Sequence, residues 1–386
     1  MERAKVRKRL LALLTDLVGI PSVFPPGDTR KIAAYAADAL TPYDYRIEVV
    51  GRRPEVANVI ASMGSSGPNL VFSVHTDTVD VGNENQWKSP PFRAQPADGR
   101  IVGLGACNAK ASMAVHLWLA QELARRGGPA RGTLTFTFVG DEENIGLDGL
   151  AFLRDSNAVT PNTLIVGGPT GNKLVTEERG VMWVRVTARG RAAHGGAPSS
   201  GDSAIMRAHR IIGTLERELP PRLESRRSTG AARRTFNIGR IHGGKNTNVV
   251  PELCALEIDL RTLPQDDMEA LFSEVQAAIA ASEEPPDSYA VELVTGTPGF
   301  TVSGDRPVVR AFHAASVAVT GRVPERLTPV GASDARHFAR YGCDIVGYGP
   351  GDGLDSHVPN ESVPVEELVT AALIQYDAVG RLVNLT

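Results

Sequence analysis

The feature that most constrains this chain is a set of short apolar runs, each ending in residues capable of chemistry. "NLVFSVH" runs from Asn69 to His75, "GTLTFTFVGDEE" from Gly132 to Glu143, and "TLIVGGPT" from Thr163 to Thr170. Nearly continuous apolar strands are the mark of a parallel sheet covered by helices on both faces. Helical signals separate them. Residues 4–18 carry Val6, Leu10, Leu13, Leu14 and Leu17 at helical spacing. "DTRKIAAYAADAL" opens with Asp28 as an N-cap candidate, and "AKASMAVHLWLAQELARR" ends in bases that suit a helix dipole. The alternation predicts an α/β fold with a mostly parallel sheet. Ligands of such sheets sit at the carboxyl ends of the strands, where His75, Asp77, Glu142 and Glu143 fall.

The pattern changes after about residue 180. "GVMWVRVTARG" alternates like a half-exposed strand; a helix follows in "DSAIMRAHRIIGTLEREL", then "TFNIGRIHGG", "CALEIDLRTL", a helix near 266–282 and "YAVELVTG". Strand–helix–strand–strand–helix–strand is the ferredoxin-like order. From about 300 the α/β style resumes and closes with "PVEELVTAALIQYDAVGRLV". The expected organisation is a catalytic α/β domain of residues 1–178 and 299–386, interrupted by a ferredoxin-like α+β domain of residues 179–298.

Composition narrows the function. The 386 residues suit two domains, and a net charge of −3 offers no polyanion-binding surface. The basic stretch Pro220–Arg234 lacks interleaved aromatics and reads as a solvated loop. Cys107, Cys254 and Cys343 show no C-x-x-C spacing, which argues against a disulfide framework and against a structural zinc knot. The basic, then apolar, N-terminus is broken by Asp16 and lacks a small-residue cleavage site, so it reads as a helix, not a signal peptide. No apolar run reaches about 18 residues. A cytoplasmic protein without nucleic-acid or membrane partners is expected.

In "HTDTV", His75 and Asp77 at i and i+2 point the same way, so the carboxylate can fix the imidazole tautomer, a habit of metal sites. "HTDTV", "DEE" (Asp141–Glu143) and "SHVPNE" (with His357) are each weak signals alone. Their order, with "NTNVVP" and "ASDAR" between the last two, is far more specific. On these motifs the sequence resembles the M20 metallopeptidase family over nearly its whole length, from "VGIPSV" to "SHVPNESV". The resemblance implies an α/β catalytic domain with two zinc ions, and an inserted ferredoxin-like domain through which the chains form a homodimer. It implies that His75 binds the first metal with Asp77 behind it, and that Glu143 and His357 bind the second. Glu142 would be the general base. His194, in "AAHGGAP", would reach the partner's active site and help hold the oxyanion. Asn248 in "NVVP", Arg261 in "DLR" and Arg336 in "SDAR" would contact substrate, with Arg179 in "ERG" a further candidate. Several arginines suit a substrate carboxylate, because a guanidinium binds one through two hydrogen bonds.

Two positions depart from the family pattern. Where relatives place an aspartate that bridges both metals, this chain has Asn108 in "GLGACNAKAS"; where they place an acid before a proline, it has Gly168. An amide offers one acceptor oxygen and no charge. The first site therefore keeps only His75, and the second keeps Glu143 and His357, each helped by the amide of Asn108. Zinc needs three or four good ligands, so at most one ion is expected, or none. Cys107 reads as a packed thiol, not a replacement ligand. The resemblance also implies a cis peptide bond after Asn108. Three readings follow. The first is a deacylase or amidohydrolase acting on a small N-acyl amino acid or peptide-like compound with a reduced metal site. The alternative is a repurposed enzyme of acyl transfer, condensation or ring closure. The third is a non-catalytic binder of such a molecule.

Overall fold

The computed structural model describes residues 2–144, 146–224 and 233–383. The chain forms two compact units, Met1–Glu177 with Thr301–Thr386, and Glu178–Phe300. The expected cuts, at 178/179 and 298/299, lie within two residues of these boundaries.

The first unit is built on a six-stranded sheet in the order Arg46–Val50, Asn58–Gly64, Thr133–Val139, Asn69–His75, Thr163–Val166, Asp344–Gly347. The last four strands run parallel, and the first two form an antiparallel edge. The central strands are buried on both faces, as continuous apolar runs require. Helix Lys110–Arg125 packs against Arg3–Val18 and Val365–Val383, burying Leu10, Leu14, Leu117, Leu368 and Ala372. The apolar N-terminal segment is thus a core helix. The third helix signal is read correctly; the second needs a correction. Helix Arg30–Leu40 has Thr29, not Asp28, at its N-cap position, and Asp28 instead pairs with Arg30. The same carboxylate also accepts the backbone N–H of Arg30 at 3.1 Å, so Asp28 still serves the first turn from one residue further out.

The second unit holds a four-stranded antiparallel sheet in the order Thr235–Gly243, Leu253–Thr262, Gly180–Arg189, Tyr289–Thr297. With helices Ala204–Glu224 and Met268–Ala280 this is the ferredoxin-like arrangement. The alternating burial along Gly180–Arg189 and Leu253–Thr262 places Val184, Val186, Leu256 and Ile258 against Leu215 and Val275 of the helices. Of the stretch expected as a solvated loop, residues 225–232 lie outside the described residues. The rest is more ordered than expected. Residues 220–224 end helix Ala204–Glu224, and Arg234 is buried with its Nε donating to Asp266 at 2.8 Å. An opposite charge at that depth makes burial of the guanidinium tolerable.

Candidate active site

The site of the first unit lies at the carboxyl ends of its parallel strands. His75 is the last residue of its strand and pairs in register with Val139 of the next. Two residues beyond Val139 the chain turns at Asp141, which adopts a left-handed φ of 71°. Asp141 is buried, accepts the backbone N–H of Asp148 at 3.1 Å and meets Arg53 at 3.2 Å. It is a clamp for the turn that carries Glu142 and Glu143.

Asp77 serves both sides. Its carbonyl oxygen lies 3.1 Å from His75 Nδ1, its carboxylate Oδ1 lies 3.5 Å from the same atom, and its Oδ2 accepts the Glu143 N–H at 2.9 Å. The backbone of Asp77, more than its carboxylate, therefore meets the imidazole, and the carboxylate also pins Glu143. On the other face of the ring, His75 Nε2 lies 3.2 Å from Asn108 Oδ1. Asn108 Nδ2 stands 2.7 Å from Glu143 Oε1 and 3.0 Å from His357 Nε2, which is itself 2.9 Å from Glu143 Oε1. His357 has a φ of 62°, a left-handed conformation uncommon for a non-glycine residue.

The Asn108 loop is held from the far end of the chain. Buried Glu361 accepts the N–H of Cys107 at 2.9 Å and that of Asn108 at 2.7 Å through one oxygen. Lys110, fully buried, donates from Nζ to the Ile20 carbonyl at 2.7 Å. The Asn108–Ala109 peptide is cis. Cys107 is buried, with its Sγ 3.3 Å from the Asp352 carbonyl, and burial raises its thiol pKa to about 12. A thiol so placed packs and does not ligate.

Arg336, on the turn Asp334–Phe338, has 2% of its surface exposed. Its Nη1 lies 3.8 Å from Glu142 Oε1 and its Nη2 3.7 Å from Asp334 Oδ1, while Nε and Nη2 have no hydrogen-bond partner. Burial pushes the Glu142 carboxyl up to about 8, against the pull of His75. Burial opposes charge on His75, but Asp77, Glu142 and Glu143 hold its pKa well above the usual value. The His357–Glu143 contact raises His357 likewise.

The two departures are visible as geometry. Asn108 occupies the bridging place between His75 and the Glu143–His357 pair. Gly168 follows strand Thr163–Val166, and a Cβ built there would meet nothing within 4 Å. Neither position supplies a carboxylate, and an amide oxygen carries no charge with which to bridge two cations. His75, Glu142 and Glu143 offer ligand atoms within 4.8 Å of one another, and Glu143, His357 and Asn108 form a tighter group.

His194, Asn248, Arg179 and Arg261 belong to the second unit, where they form two pairs. The short strand Ala193–His194 pairs with Val249–Val250, and the Gly195 N–H donates to the Asn248 carbonyl at 2.7 Å, so exposed His194 and Asn248 are neighbours. Arg261 Nε donates to Asp259 at 3.0 Å, and its charge, after burial, lowers the pKa of nearby Arg179. Strands Gly180–Arg189 and Leu253–Thr262 separate the pairs: Gly180 meets Thr262 at one end and Arg189 meets Leu253 at the other. Ten-residue strands put about 30 Å between those ends.

Among the residues that sequence reasoning left without a role, Glu361 and Asp141 stand out. Both lie inside motifs already singled out, and each is an acid beside apolar strand residues, which was the available signal.

A parallel α/β sheet with a histidine, paired acids and a second histidine at its strand ends, plus a ferredoxin-like unit inserted in the chain, defines a metallohydrolase of exopeptidase type. The comparisons agree. The sequence pattern of peptidase family M20/M25/M40 matches residues 71–381, and the chain belongs to that family of hydrolases acting on amide bonds. It is 31% identical to a succinyl-diaminopimelate desuccinylase of Acidiphilium cryptum over 379 residues, covering 94% of this chain and 95% of that one. It is 28% identical to the enzyme of the same name from Xanthobacter autotrophicus, over 96% of this chain and 98% of that one. Among solved structures, an M20 family metallo-carboxypeptidase from Sulfolobus solfataricus superposes with a TM-score of 0.78 at 16% identity, covering 96% of this chain and 98% of that one, which speaks for the fold alone.

Proposed function

We propose that this protein is a deacylase of a small N-acyl amino acid or peptide-like substrate that bears a carboxylate, working with at most one metal ion. The observation that carries the reading is Arg336: a buried guanidinium with unpartnered nitrogens, set 3.8 Å from Glu142. A buried cation with free donors suits a substrate anion, and it stands beside the one acid placed to move a proton.

In this reading Glu142 takes a proton from the attacking water and returns it to the leaving amine nitrogen. Asp77 fixes both the His75 ring and the Glu143 backbone. Arg336 holds substrate carboxylate or developing negative charge; within the second unit, Arg261 with Arg179 near it is a further anion-binding candidate. A bound divalent ion would polarise the acyl oxygen and make its water more acidic. Glu143, His357 and Asn108, with His75 close by, are the residues that would hold it.

The same reading includes a homodimer formed through the second unit. Two observations support it. Ile205, Met206, Ile241, Val249 and Leu253 are large apolar residues left 40–54% exposed, and Thr235–Gly243 is an outermost strand. The separation of His194 and Asn248 from Arg179 and Arg261 suits a site completed by a partner subunit. The three free cysteines agree with a cytoplasmic location.

The test is a panel of N-acyl amino acids, including N-succinyl diamino acids, assayed for release of free amine by wild type and Glu142→Gln. Release that disappears in the variant supports the reading; no release from any member refutes it. The loss of two carboxylates at Asn108 and Gly168 favours a second reading, acyl transfer to an amine, since a weakened metal-bound water competes less. Mass analysis of products formed with acyl donor and free amine together separates the two.

A further inference from the structure

Arg336 is suspended between two carboxylates and bonded to neither. Its Nη1 lies 3.8 Å from Glu142 Oε1 and its Nη2 3.7 Å from Asp334 Oδ1, while its Nε and Nη2 make no hydrogen bond. A guanidinium that pairs with a carboxylate closes to about 2.7–2.9 Å, and burial strengthens the attraction. A shift of about 1 Å would close the pair with Glu142. The pair nevertheless stays open, and Asp334 is the charge that pulls the other way.

Asp334 is the fixed member of this set. It opens the turn Asp334–Phe338, whose residues are all buried. Ser333 Oγ accepts the Ala335 N–H at 3.3 Å at one end of the turn, and Arg154 Nη1 donates to the His337 carbonyl at 2.9 Å near the other. The turn also packs against helix Leu150–Asp155 and strands Thr163–Val166 and Asp344–Gly347. The Asp334 side chain is short, and His337 Nε2 stands 3.5 Å from the same Oδ1 that faces Arg336. Its carboxylate is therefore anchored by a rigid backbone and by a base on each side. The long arm of Arg336 is the part that can move, and the fixed charge at 3.7 Å decides where it rests.

We infer that Asp334 is a positioning residue for anion binding: it holds Arg336 off Glu142, so that the guanidinium keeps open donors for a carboxylate of the ligand. Without that hold, Arg336 closes on Glu142 and its two parallel hydrogen bonds are used there. A simpler role for Asp334, as a mere counter-charge in the pocket, predicts the opposite sign, because removing a negative charge strengthens the binding of an anion. The inference deepens the functional reading, and it rests on that reading only for the anion being part of the substrate.

The test measures binding, not turnover. Succinate is titrated into the full chain by calorimetry, and the part of the binding lost in Arg336→Met belongs to this place. Asp334→Asn, nearly identical in shape, should weaken that part about tenfold. Adding Glu142→Gln to it should restore the affinity to within about threefold of wild type, since Arg336 then has no carboxylate to close on. A merely structural loss would show no such recovery. Glu142→Gln alone should change the affinity by less than about threefold, because Asp334 already keeps the two apart. That single variant reads the inference even where melting curves show that Asp334→Asn does not fold. Unchanged or tighter binding in Asp334→Asn, no recovery in the double variant, or a gain of about tenfold in Glu142→Gln alone overturns it. So does succinate binding that survives Arg336→Met in full, or none by wild type. A chain that binds succinate in the expected pattern yet releases amine from no acylated substrate leaves the inference standing and refutes the deacylase reading. Amine release without succinate binding does the reverse.

Discussion

Arg336 and Glu142 face each other across 3.8 Å, one a guanidinium without full hydrogen bonding and the other a carboxyl whose pKa burial pushes up to about 8. Neither completes the other. Glu142→Gln should lower kcat by about a thousandfold with little change in KM, the scale of a lost general base. Arg336→Lys should instead raise KM by about tenfold or more, because an ammonium cannot reproduce two parallel hydrogen bonds. Steady-state kinetics on any accepted N-acyl amino acid separates the two effects.

Glu361 satisfies two buried N–H groups of the Asn108 loop. In Glu361→Ala both lose their acceptor, at a cost of about 2–4 kcal/mol. Glu361→Gln keeps an acceptor oxygen and should lose less than half as much. Thermal melting of the two variants side by side checks the order, and equal losses would show that the oxygen is not the reason.

Two neighbouring glycines should respond oppositely. Alanine at Gly168 enters open space, while a methyl at Gly349 runs into the Gly168 carbonyl and Ser112 Oγ. Gly168→Ala should stay within about 0.5 kcal/mol of wild type, and Gly349→Ala should cost about 1–3 kcal/mol. Chemical denaturation monitored by fluorescence reads both.

In the second unit Glu284 accepts from Arg207 at 2.7 Å and also pairs with Arg210. Burial would raise its pKa, but the two arginines win and hold it below the usual carboxylate value. A depressed carboxylate stabilises above its unfolded pKa and loses that contribution as pH falls through the folded one. Wild type should therefore exceed Glu284→Gln in stability at pH 7, with the gap closing below about pH 4. Melting temperatures across that range test the sign; a gap that widens in acid contradicts it.

The proposed dimer has a direct check. Ile241→Glu with Leu253→Glu places charge among exposed apolar residues and should give monomers by light scattering. If His194 acts in a partner's site, kcat of the monomer should fall about a hundredfold, as for a lost oxyanion donor. Full activity in a monomer would assign His194 no such role.

Much of this was legible in the sequence because its signals are local. The buried strands declare themselves as apolar runs, and each delivers His75 or Glu142 and Glu143 to the sheet's carboxyl edge within a few residues. Asn108 and Gly168 stood out against a resembled pattern. What stayed hidden depends on distant partners. Nothing near residue 108 signals that Glu361, 253 positions on, fixes its backbone. Nor could spacing show that Asp77 divides its carbonyl and carboxylate between His75 and Glu143, or that the helix starts one residue beyond the cap expected at Asp28. The side of Asn108 that each neighbour meets is a matter of ångströms, which no periodicity encodes.

The link from Asn108 to Glu361 also sets an order of events during synthesis. A ribosome releases residue 108 long before residue 361, and the intervening chain includes the whole inserted unit. Strand Ser362–Pro364, next to Glu361, pairs with Arg100–Val102 and so arrives equally late. Loop closure over such a distance comes last because its entropy must be overcome before its contacts form. A nascent chain therefore carries His75, Asn108 and Glu143 without the anchor that orders them until Glu361 has emerged, after the whole inserted unit.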